Sequence, residues 1–168
     1  FYFERVEKDI SAAGERYVCL TSHFNLIERL HMLHGFERTM MDFYYEPEKI
    51  DRVLDMILDF KMAQVDEIHR RFGDRVHGVF LTDDWGAQTG TFISPGLFDR
   101  FFLERYRTLV ARYHEHGYHF ILHSCGRINE FVDRFIEIGV DVMNMQQPRA
   151  YGIEEIGLPV RRPVAPEC

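Results

Sequence analysis

Two side chains of this chain stand out for chemistry: His123 and Cys125, in the block His123-Ser124-Cys125-Gly126 that follows the apolar run Tyr118-His119-Phe120-Ile121-Leu122. Side chains alternate along an extended backbone, so a His and a Cys two residues apart at a strand end point the same way. Neutral imidazole and thiolate are donors that zinc takes readily. Gly126 then permits a sharp turn with no side chain in the way. The same residue types also describe a hydrogen-bonded histidine beside a small buried cysteine. The pair therefore offers two zinc ligands and leaves a third unassigned. Cys168 is the only cysteine downstream and sits in an irregular tail, so it is not counted as that ligand.

Asp83 and Asp84 follow a second apolar run, 76–82. Adjacent carboxylates there could act as general acid and base, hold a cation, or orient a metal-bound histidine. The plain alternative is a turn in which Asp accepts backbone N–H bonds. Both are candidate catalytic residues, and because successive side chains face opposite ways, one of the two is expected to enter the site. His23, Asn144 and Gln146 close other apolar runs and are candidates for binding a polar substrate; the last two could equally cap the next element. His114, His116 and His119 look like a metal cluster but flank a helix end, where the dipole favours imidazolium without a metal. Phe98, Phe101 and Phe102 have helical spacing and read as core.

The elements that must position these groups alternate. Residues 17–21 read as a strand, followed by a helix through Leu26, Ile27, Leu30 and Leu33 that stops near Gly35, then a short helix over 37–44. Pro47 suits the first turn of a long helix. Its apolar stripe runs through Ile50, Val53, Leu54, Ile57, Leu58, Met62, Val65, Ile68 and Phe72, and Gly73 ends it. A strand over 76–82 follows. Ser94 and Pro95 then form a cap and first turn for a helix that runs to Gly117. A strand over 118–122, a helix over 128–138 and a strand over 140–145 complete the pattern.

Strands alternating with helices imply a parallel sheet of βαβ units, with nearly all-apolar strands buried on both faces. A doubly wound sheet and a (β/α)8 TIM-type barrel both fit. The barrel gains because four strand ends carry polar groups, and a barrel gathers those ends at one rim. A whole barrel takes about 250 residues, so the four βα units here predict about half of one, over residues 1–152, followed by an irregular tail, 153–168.

A net charge of −7 argues against a nucleic-acid surface, and no apolar run reaches the roughly 18 residues of a membrane span. Three scattered cysteines do not make a disulfide framework, and a reducing, cytoplasmic setting is the expectation.

The blocks Leu81-Thr82-Asp83-Asp84-Trp85-Gly86-Ala87-Gln88-Thr89, Ile93-Ser94-Pro95, His123-Ser124-Cys125-Gly126 and Gly139-Val140-Asp141-Val142-Met143-Asn144-Met145-Gln146 together resemble the uroporphyrinogen decarboxylase-like superfamily. The likeness covers about residues 15–150. The His-x-Cys-Gly block is similar to the cobalamin-dependent methyltransferase branch. That resemblance implies zinc held by His123, Cys125 and a further Cys late in the barrel, which this chain lacks. It also implies a methyl group passed between a corrinoid, presented by a partner protein, and a small thiol, methoxy or methylamine compound. The alternatives are porphyrinogen decarboxylation in haem biosynthesis, and an inactive fragment or interaction module. Half a barrel exposes sheet edges that invite self-association.

Overall fold

The computed structural model describes residues 3–152; the expected tail, with Arg161, Arg162 and Cys168, lies outside the described residues. Helix α1 (Phe3–Ala13), which the periodicity reading did not define, buries Ile10 and leads into strand β1 (Cys19–Ser22). Helices α2 (Ile27–His34) and α3 (Phe36–Tyr45) meet at Gly35, whose φ of 86° suits a residue without Cβ. Helix α4 (Pro47–Phe72) has Pro47 in its first turn and buries Ile50, Leu54, Ile57, Val65, Ile68 and Phe72. Lys61 lies in that same buried stripe.

Strand β2 (Gly78–Thr82) breaks into Asp83-Asp84 and a small hairpin, β3 (Gly86–Ala87) with β4 (Gly90–Thr91). Strands of two residues carry no readable period, so this hairpin was not expected. Ser94 caps α5 (Pro95–Phe98), its hydroxyl accepting the Leu97 amide. The expected single helix instead continues through a π-helical stretch, Asp99–Leu103, into α6 (Glu104–Glu115). This underwinding keeps Phe98, Phe102 and Tyr106, spaced four apart, in one buried line. Strand β5 (His119–Ser124), α7 (Asn129–Glu137), β6 (Val142–Met145) and the short α8 (Pro148–Tyr151) complete the described chain.

The main sheet has the order β1-β2-β5-β6, all parallel. Strands thus lie in the order in which the chain makes them, as in a singly wound barrel. A doubly wound sheet would reverse direction at a switch point. The described residues therefore form a four-stranded barrel-type sheet, in agreement with the expected half barrel. Alternation is clean. Val79, Leu81, Phe120 and Leu122 are fully buried, whereas the other face carries half-buried Phe80 and Ile121, and Val142 is 48% exposed. Register aligns Thr82, His123 and Asn144 across three strands.

The core beneath the strand ends is aromatic. Trp85, fully buried, meets Phe98, Phe102 and Phe131 edge-on at centroid separations of 5.0, 4.8 and 5.6 Å. Burying each ring of this size contributes about 2–3 kcal/mol. The Phe98, Phe101 and Phe102 group is core, as expected. Among the described residues no helix is long and apolar enough to cross a membrane.

Candidate metal centre

His123 stands at the carboxyl end of β5, and its ring is fixed on both nitrogens. Nδ1 lies 2.7 Å from Asn144 Oδ1 on neighbouring β6. A carboxamide oxygen only accepts, so Nδ1 carries the proton and Nε2 presents a lone pair. Nε2 faces Cys125 Sγ at 3.4 Å and Asp84 Oδ1 at 3.8 Å. The donor atoms of Asp84, His123 and Cys125 all lie within 4.8 Å of one another. Asp84 also accepts the Cys125 amide at 2.8 Å, tying the β2 loop to the β5 loop. Gly126 has φ 85°, and a Cβ there would lie 2.1 Å from the Gly86 carbonyl oxygen, so the turn after Cys125 needs glycine to admit the hairpin.

Asp83 and Asp84 part company. Asp83 is fully buried and accepts the amides of Leu26 (3.0 Å), Ile27 (3.2 Å) and Glu28 (2.8 Å), together with the Tyr106 hydroxyl. It satisfies the orphan donors at the start of α2 from another part of the chain. Burial pushes its carboxyl up to about 7 despite these donors. The candidate catalytic role of Asp83 is thus corrected: its carboxylate is committed to the fold, because alternation turns it toward the helices while Asp84 turns to the open face.

Segment 24–28 is strapped along 82–84. Phe24 donates its amide to Thr82 Oγ1 at 3.0 Å and Asn25 donates its amide to the Thr82 carbonyl at 2.9 Å. Phe24 adopts φ 60°, a left-handed conformation that a bulky side chain keeps only when its surroundings impose it. Glu28, only 9% exposed, accepts the Thr82 hydroxyl at 3.0 Å, and the nearby Asp84 amide favours its charged form. Burial raises the Glu28 carboxyl, with the Asp84 charge adding to the effect. Behind them Lys61, 2% exposed, is pushed down to about 8 by burial, which the nearby Asp83 and Glu28 charges oppose.

The thiol of Cys125 is raised, first by partial burial and then by Asp84 and Glu28. Cys125, His123 and Asn144 are arranged as a nucleophile, base and orienting amide would be. Yet carboxylates beside the sulfur oppose thiolate formation, and a cation among them would reverse that. The donor set fits zinc: sulfur, imidazole nitrogen and carboxylate, with a position left open. Tetrahedral zinc would hold S and N about 3.6 Å apart and N and O about 3.4 Å apart, close to the 3.4 and 3.8 Å found.

This cluster of strand-end donors sits inside the span of one known family model. Uroporphyrinogen decarboxylase (URO-D) matches residues 21–150. The chain belongs to that family. No curated protein and no solved structure matches it.

The matched span contains every expected site residue, and the structure sorts them. His123, Cys125 and Asp84 come together. Asn144 Oδ1 is engaged by His123 and holds its ring. His23 is exposed on the loop after β1 with its ring tilted against Phe24 at 6.0 Å, and no hydrogen bond or ion pair among the described residues joins it to the cluster. Gln146 is exposed; it is Gln147 beside it whose side-chain oxygen accepts the Gly126 amide at 3.1 Å. The three clustered histidines of the sequence take different partners: His114 pairs with Asp141, His116 with Asp66 and His119 with Tyr17.

Glu28 and Lys61 were missed. A signal existed for Lys61, a charged residue in register with the apolar stripe of α4. For Glu28 the local sequence offers none, because its partners lie 54 residues away.

Proposed function

We propose that this URO-D family chain carries the metal centre of a zinc-dependent methyltransferase, with Asp84, His123 and Cys125 as ligands and Asn144 orienting His123. The convergence of those three donor sets within 4.8 Å carries the reading. Bound there, zinc would act as a Lewis acid and stabilise a coordinated thiolate at neutral pH.

The chain's own residues do the rest. Asn144 keeps the proton on Nδ1 of His123, so Nε2 remains a donor. Asp84 Oδ1 accepts the Cys125 amide at 2.8 Å, holding that backbone in place, and the same oxygen faces His123 Nε2 at 3.8 Å. The open sheet face gives a small acceptor access from the barrel interior. In the transfer, the acceptor's sulfur lone pair forms the new bond to the methyl carbon. The pair of the broken bond stays with the donor, and the thiol proton leaves to solvent. The reading includes a corrinoid on a partner protein as methyl donor and a reducing cytoplasmic setting; the family resemblance supports the first and the free Cys19 and Cys125 are in keeping with the second. Porphyrinogen decarboxylation draws less support, since the groups beside Cys125 include the carboxylates Asp84 and Glu28, which repel a polycarboxylate substrate.

Zinc stoichiometry by mass spectrometry of metals and by titration calorimetry tests this. The unaltered chain is expected to hold about one zinc, and Cys125→Ala and Asp84→Ala to lose it. Equal zinc in all three removes these residues from the centre.

A further inference from the structure

Glu28 belongs to none of the elements that carry the ligands, yet it touches the backbone that aims one of them. Its carboxylate takes the Thr82 hydroxyl at 3.0 Å, the Asp84 amide is near enough to favour its charged form, and its own amide is held by Asp83 Oδ1 at 2.8 Å. Thr82 is the register neighbour of His123, and its hydroxyl accepts the Phe24 amide at 3.0 Å. One nearly buried carboxylate thus joins the start of α2 to Thr82 and lies beside the Asp84 amide, on either side of Asp83. Without it, Asp83 would still anchor α2, but nothing from α2 would fix the peptide that turns Asp84 toward His123 and Cys125.

We infer that Glu28 is a positioning residue for the Asp84–His123–Cys125 centre, holding Asp84 at the distance a metal ion requires. This rests on the metal-centre reading above. Groups that orient ligands in this way change metal affinity by about 10–100-fold when removed. Glu28 is not itself a ligand: its carboxylate takes the Thr82 hydroxyl, and it falls outside the group of mutually close donors.

Co(II) titration of the metal-free chain, followed by absorbance, tests the inference. The thiolate-to-cobalt charge-transfer band reports Cys125, and the ligand-field bands report the coordination geometry. Glu28→Ala is expected to keep the charge-transfer band, alter the ligand-field bands and weaken Co(II) binding about 10–100-fold. Glu28→Gln, which retains an acceptor oxygen, is expected to restore binding to within about threefold of the unaltered chain. Thr82→Val removes the hydroxyl donor and leaves every proposed ligand, so weaker binding is expected there too. It carries the test should Glu28→Ala fail to fold. Unchanged affinity and bands in Glu28→Ala, or in Thr82→Val in its place, while Asp84→Ala alters both, would overturn the role of Glu28 alone. Absence of Co(II) binding by the unaltered chain would overturn the metal centre and this inference with it.

Discussion

Replacing the two adjacent aspartates one at a time separates a fold anchor from a ligand. Asp83→Ala removes an acceptor shared by three amides at the start of α2 and the Tyr106 hydroxyl, all in a fully buried setting. Each orphaned buried donor costs about 1–3 kcal/mol. The four do not add fully, and removing a carboxyl that burial already raises to about 7 returns part of the loss. A net destabilisation of about 4 kcal/mol is expected, a large share of the roughly 5–15 kcal/mol that holds a domain together. At about 2–4 °C per kcal/mol for a domain of this size, Tm falls by about 8–16 °C. Asp84 has a side chain 36% exposed and one backbone hydrogen bond, so Asp84→Ala is expected to cost no more than about 1 kcal/mol. Urea unfolding measures both, read by the fluorescence of Trp85, the only tryptophan and fully buried. A loss below about 1 kcal/mol for Asp83→Ala, or equal losses for the two variants, refutes the division of labour.

Asn144→Leu removes the acceptor that fixes the His123 tautomer, and zinc affinity by calorimetry is expected to fall about 10–100-fold with little change in Tm. Gly126→Ala places a Cβ 2.1 Å from the Gly86 carbonyl at φ 85°, and is expected to cost about 3 kcal/mol or more in the same unfolding assay. Acid should weaken the fold through carboxylates held below their usual range: Asp42 by His34 and then Arg38, Asp99 by Arg134, and Glu67, at about 2, by Arg70 and Arg71. Their folded values lie below the unfolded ones, so their contribution is present above the ordinary carboxylate range and is lost as pH falls through the folded values. Urea midpoints at neutral pH, near 4 and near 2.5 should decline in that order, and Asp42→Asn should flatten the slope.

What could be read along the chain was whatever the backbone repeats locally. Spacing of three and four defined α2, α3 and α4, with Pro47 and Gly73 at the bounds of the long helix. Alternation placed His123 and Cys125 on one face and predicted that only one of Asp83 and Asp84 would join them. These follow from geometry within a few residues, which the sequence determines by itself. Tertiary structure decided the rest. The singly wound strand order, the choice of Asp84 for the centre, the turning of Asn144 onto His123 and the buried places of Glu28 and Lys61 depend on partners far apart in the chain. The bonds from the start of α2 to Asp83 span 55–57 residues. No local period encodes such a contact. Whether a carboxylate serves as ligand or anchor is settled only when packing fixes which side of the sheet it faces and which donors await it there.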